Sequence, residues 1–538
     1  DLRAVIEAAA LRWNEAFESA GFRNALQVRI QPDDADWDAG DLRYNVIRWT
    51  SSPSPPFGGY GPSFADPRTG ELLGADIMLE YSVIGSRLRE ASVFGEAFDF
   101  DAAVPVDPNT CTAEMAAHRQ MLFAAAALET LGADSETQQR LLEEFIHFLV
   151  LHEIGHTLGL NHNFRASHLH SLDAIYDPDQ TYTLGLHGSV MDYPVVPFAM
   201  PGETQSQFYT TRPGPYDHWA ITVGYSQAAD DPADEAARLE AILARSTEPA
   251  LAFGNDADDM RSPGKAIDPR AMVNDMTSDP IGFARQQMEV VDVAVEGFAG
   301  RLAKDGESYQ ALLNAFQLAA SRYRASARAV SRYVGGVYVD RAMVGQPGAP
   351  DPLTPVCLDD PLRAMALLRD AVFAPDAFAA LNQSANRLLA QRRGFDHFDT
   401  TEDPKLHALA LGIQTDILSH LLHERVLARL TDTRIYGNEY SVAEMLTDLT
   451  DAIFAADLDG DVNTFRQNLQ LDYVERLIRI VNTSGEGAYD HVARSMALDR
   501  LRWIEDELAN NRRGNAETRA HREHVLYRIY RGLDAPAA

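Results

Sequence analysis

The chain has 538 residues, of which 46% are hydrophobic and 23% charged, and a formal net charge of −32. That length is too great for one hydrophobic core and predicts two or three domains. The acidic surplus disfavours nucleic acid and anionic lipid surfaces as partners, and no run of 18 or more apolar residues offers a transmembrane helix.

In chain order, residues 1–22 carry apolar side chains at helical spacing and end at Gly21, a natural helix terminator. The chain opens at Asp1 inside this helix, which implies an upstream segment that is missing or processed away. Residues 24–30 ("NALQVRI") and 44–52 ("YNVIRWTSS") read as strands, and an extended segment is expected around 72–81. Two helices follow, near 112–131 and from Ser135 to about 160. Ser135 with Glu136 suits a helix start, and the second helix is apolar on so much of its circumference that it should be buried. Residues 163–216 are rich in Gly, Pro, Asn and Asp and read as loops, closed by a helix at 215–225. Beyond 230 the pattern is helical, at roughly 234–245, 279–303, 307–334, 360–373, 405–431, 441–455, 463–482, 487–510 and 516–532. A short β-like patch interrupts it at 335–344.

The eleven residues 152–162, "HEIGHTLGLNH", carry the chemistry. His152 and His156 are four apart, so a helix stacks both imidazoles on one face, one turn from each other. Two ring nitrogens so placed can reach one zinc ion. Glu153 is rotated by about 100° from His152; it stands beside the metal, where a carboxylate can take a proton from water. Gly159 can adopt positive φ and end the helix. Without that break His162 would lie about 9 Å along the axis from His156; with it, His162 can turn back as a third ligand. Three protein ligands leave a fourth position open, which marks a catalytic rather than a structural zinc. Met191, in "GSVMDY" (188–193), offers a soft apolar floor beneath the histidines.

The motif HExxHxxGxxH followed by such a methionine resembles the metzincin metalloproteases. The stretches "WNEAFESAGF", "DADWDAGDLRYNVIRW", "YGPSFADPRTGE", "HEIGHTLGLNHNFRAS", "SVMDYP", "YDHWAI", "SDPIGFARQQMEVV" and "RYVGGVYVDR" are similar to the large bacterial zinc-dependent metalloproteases of the Met-zincin group, so the resemblance covers nearly the whole chain. It implies an α+β metzincin-like catalytic domain over 1–228, with a mixed twisted sheet and a long active-site helix, followed by a mostly α-helical region over 229–538. The usual first strand of such a domain has no counterpart ahead of the first helix. The resemblance further implies one catalytic Zn2+ on His152, His156 and His162. Glu153 would be general base and then general acid, Gly159 and Met191 structural supports, and Met191 the residue of a Met-turn. Tyr193 would either touch zinc and stabilise an oxyanion or simply pack. An extracytoplasmic location is also implied.

The activity expected on these grounds is zinc-dependent endopeptidase, with a peptide or protein substrate paired along a sheet edge, for which the segment Gly70–Glu80 is the candidate. Two other classes stay open: a zinc hydrolase of non-peptide amides or esters, and a non-catalytic zinc-braced binding module. Oligomeric state is not readable. Cys111 and Cys357 are the only cysteines and could pair or stay free. "DLDGDVN" (457–463) places Val462 and Asn468 where a calcium loop needs Gly and Glu, and reads as a solvated acidic turn. His168, His170 and His187 read as loop histidines, Asp192 and Asp217 as candidates to orient a zinc-binding imidazole, and His420 with His423 as a polar helix face.

Overall fold

A computed structural model describes residues 2–534 apart from 52–58, 81–112, 194, 261, 392–400, 402, 484 and 486–488. Helix α1 (Arg3–Ser19) buries Ala9, Ala10, Trp13, Ala16 and Phe17, one face at helical spacing. That face lies along α3 (Ser135–Thr157), where the Trp13 indole donates to the Leu151 carbonyl at 3.2 Å. Between them in sequence come β1 (Val46–Thr50), β2 (Gly59–Tyr60), β3 (Ser63–Ala65), β4 (Leu72–Glu80) and α2 (Ala113–Leu131). Helix α3 starts at Ser135, as its composition suggests. Asp134 is the cap, its side chain accepting from the Thr137 amide. Its second half, Phe148 to Gly155, is buried on every side, which fits its apolar circumference.

The sheet is small and mixed. β4 runs parallel to β1, with Val46 opposite Asp76 and Thr50 opposite Glu80, and antiparallel to β2 and β3 on its other flank. Two strand expectations change. Residues 24–30 form no strand, because the Asn14 side chain on α1 takes both the amide and the carbonyl of Leu26, the groups a ladder would need. The segment Gly70–Glu80 is not an open edge, since β4 is bonded on both flanks. The exposed strand is β3, all three of whose residues face solvent.

Short helices α4 (Pro178–Leu184), α5 (Pro215–Tyr225), α6 (Pro232–Leu243) and α7 (Asp256–Asp259) carry the chain through the loop-rich stretch. Then come α8 (Pro280–Arg301), α9 (Gln310–Ser331), the hairpin of β5 (Val337–Val339) and β6 (Leu353–Pro355), α10 (Asp359–Leu368), α11 (Ala379–Asn382), α12 (Leu406–Leu421), α13 (Glu424–Asp432), α14 (Val442–Phe454), α15 (Thr464–Asn482), α16 (His491–Ala509) and α17 (Ala516–Asp534). The single helix expected over 405–431 is two. The first ends at Leu421, and His423 begins the other, its ring accepting from the Arg425 amide as an N-cap, while His420 is buried rather than part of a polar face. The turn at 457–463 is solvated only in part: Asp459 and Asp461 are exposed, but Asp457 is buried against Arg466 at 2.7 Å, and Arg522 reads the carbonyls of Asp457, Leu458 and Gly460.

One buried apolar cluster runs from Ala9 on α1 to Ile529 on α17. α8 and α9 pack on α2, and the fully buried Arg322 of α9 donates to the Val196 carbonyl at 2.6 Å and to Gln120 of α2. The helical region therefore shares its interior with α2 and with α3, the helix that carries His152 and His156. Cys357 is exposed, and Cys111 lies outside the described residues.

Candidate metal centre

The last turns of α3 present His152 and His156, whose ring centroids are 4.8 Å apart. The helix closes at Thr157, and Gly159 takes φ +89°. The Leu160 amide reaches back to the Gly155 carbonyl at 3.0 Å and the Gly159 amide to His156 at 3.0 Å, a left-handed C-terminal lock that a side chain at 159 would strain. The chain so reversed brings His162 to 4.8 Å from His156 and 5.5 Å from His152, centroid to centroid. One ring nitrogen from each of the three lies within 4.8 Å of the other two.

The tautomers follow from the acceptors. His152 Nδ1 donates to the Val190 carbonyl at 2.8 Å, His156 Nδ1 to the Leu160 carbonyl at 3.1 Å, and His162 Nδ1 to the Asp256 carboxylate at 2.8 Å. With all three protons on Nδ1, the Nε2 lone pairs face the common centre. Burial, reinforced by the neighbouring rings, holds His152 well below the usual imidazole range and His156 at about 4, so both are neutral at pH 7, as a metal ligand must be.

Glu153 is fully buried beside this cluster, and burial pushes its carboxyl up to about 8. The nearby Gly61 amide works weakly the other way, yet neither carboxylate oxygen has a hydrogen-bond partner, and neither does His156 Nε2. Each such orphan costs about 1–3 kcal/mol. Their concentration at one point, facing three imidazoles, fits a divalent cation: it would satisfy Nε2 and restore the carboxylate through its charge. The nitrogen-rich donor set suits zinc.

The supports are close-fitting. A Cβ on Gly155 would stand 2.3 Å from Met191 Sδ, so the thioether fills a notch in α3 between the two ligand turns. A Cβ on Gly61 would meet the Glu153 carbonyl at 2.6 Å and Oε2 at 2.9 Å, which places the link between β2 and β3 directly against the carboxylate. The Tyr193 hydroxyl lies 3.0 Å from His162 Nε2. Neither Asp192 nor Asp217 touches an imidazole. Asp217 accepts from Ser189 Oγ at 2.6 Å and the Val190 amide at 2.8 Å, and so fixes the peptide whose carbonyl holds His152. Asp192 binds the Tyr193 amide. His168 pairs with Asp275, His170 donates to the Gly185 carbonyl, and His187 is buried with both ring nitrogens unpartnered.

Sequence reasoning passed over Gly61, Gly155, Asn163 and Asp256. A glycine inside a buried helix was the available signal for Gly155. Asn163, next to the third histidine, is fully buried and bonds the Ala252 carbonyl and the Gly254 amide; nothing local announces that partnership.

A sequence profile of a family described as Met-zincin matches residues 134–460. Neither curated proteins nor solved structures gave a match.

Proposed function

The chain belongs to the Met-zincin family, and from that premise we propose that it is a zinc-dependent endopeptidase. The observation that carries this reading is the inward set of three Nε2 atoms with the unpartnered Glu153 carboxylate at its side. Zinc held by His152, His156 and His162 would serve as a Lewis acid, polarising a scissile carbonyl and lowering the pKa of a water. Glu153 takes the proton of the attacking water and returns it to the leaving amine. Its lack of any other hydrogen bond leaves both oxygens available for that transfer. Tyr193, with its hydroxyl beside the cluster, donates to the oxyanion. Met191 packs under the ligand helix as the Met-turn residue. The exposed strand β3, antiparallel to β4 and continuous with Gly61 over Glu153, is the edge to which an extended peptide adds a strand.

Digestion of a peptide library by the zinc-loaded protein, its chelated form and the Glu153→Gln variant tests the reading. Cleavage at internal peptide bonds is expected only from the first, with the variant still holding one zinc. Hydrolysis of esters alone would favour the non-peptide hydrolase, and bound zinc without any hydrolysis the braced module. Full activity in Glu153→Gln would sink the mechanism.

A further inference from the structure

We propose that Asp256, from the helical region, is the positioning residue of the third zinc ligand, so that the metal centre is completed by a segment beyond residue 228. The inference rests on the three histidines holding a metal. His152 and His156 give their Nδ1 protons to main-chain carbonyls, whereas His162 gives its proton to a carboxylate 94 residues away. A carboxylate acceptor fixes the ring, fixes the tautomer and raises the basicity of the opposite nitrogen. It also supplies negative charge beside the third imidazole.

The segment around Asp256 is built for this contact. In "NDADD" (255–259), Asn255 caps α7 and Asp258 closes the capping box. Asp258 pairs with Arg341 and Asp259 with Arg332, which clamps the segment to the end of α9 and to the strand that follows. On its other side the segment is sewn to the residues just after His162. The Phe164 amide donates to Gly254 at 2.7 Å, and the Asn163 side chain bonds Ala252 and Gly254. The Asp256 carboxylate turns to His162 at 2.8 Å. The acid is 62% exposed; ion pairs that open to water contribute little to stability, so fold stabilisation does not account for it.

The test is zinc affinity by chelator competition, together with the visible spectrum of the cobalt-substituted protein, on the full chain. Asp256→Asn keeps the shape and is expected to weaken zinc binding by about 10–100-fold and to shift the cobalt bands, with the melting temperature of the zinc-free protein unchanged. Asp256→Glu is expected to recover part of the affinity. Asp258→Asn, which loosens the clamp without touching His162, is expected to stay near the parent. Parent-like affinity and spectrum in Asp256→Asn overturn the proposal, as does an equal loss in Asp258→Asn, which would reduce the contact to loop anchoring. A parent protein that binds no zinc overturns the metal reading itself and this inference with it.

Discussion

Gly155 and Met191 are a matched pair: the methionine sulfur lies 2.3 Å from where a Cβ at 155 would be, inside the helix that carries two of the three histidines. Alanine at 155 would gain about 1 kcal/mol of helix propensity but force a shift in a packed core, at about 1–3 kcal/mol. The collision should win. Gly155→Ala is expected to lower the melting temperature and loosen zinc binding, and adding Met191→Ala should cost less than the two single losses combined. Additive losses in that cycle would mean that the two residues do not press on each other.

Gly61 offers a cleaner separation of chemistry from metal. A methyl there meets the Glu153 carbonyl and Oε2, not a histidine. Gly61→Ala should reduce kcat by about 10²-fold or more, the range for a displaced general base, while zinc content by elemental analysis stays at the parent value. Loss of zinc along with rate would argue against the assignment.

Tyr193→Phe removes the hydroxyl beside His162 and little else. If that hydroxyl stabilises the oxyanion, kcat should fall by about 10²-fold with KM and zinc affinity nearly unchanged. A change in KM alone would make Tyr193 a substrate contact.

His187 predicts part of the acid sensitivity. Burial holds its imidazole at about 3, against about 6.5 in an unfolded chain. Below pH 6.5 the unfolded state binds a proton that the native state refuses, so stability falls as pH drops from 6.5 towards 3, by up to about 1.4 kcal/mol per unit. His187→Leu should flatten that slope when urea midpoints of the zinc-free proteins are compared from pH 7 to pH 4. Parallel slopes would show that His187 is not the group responsible.

What could be read in the sequence was local. The i, i+4 histidines, the acid between them and the glycine that reverses the chain are set by helix geometry, and the structure brings His152, His156 and His162 to one point. Their acceptors could not be read. Val190 and Leu160 act through carbonyls, which every residue has, and Asp256 is one acid among three in a short run. The strand expected at 24–30 failed for a similar reason: its alternation was real, but the Asn14 side chain had taken its backbone groups. At 405–431 the helical period was right, yet His423 could serve as a cap as readily as a surface residue.

The distance from His162 to Asp256 also sets a timetable. A ribosome adding about 5–20 residues per second needs roughly 5–20 s to make the 94 residues between them. Throughout that interval the nascent chain already displays its three imidazoles and lacks the carboxylate that steadies the last of them. The finished geometry therefore waits on synthesis of the chain as far as Asp256, and no activity that depends on it can come before that point.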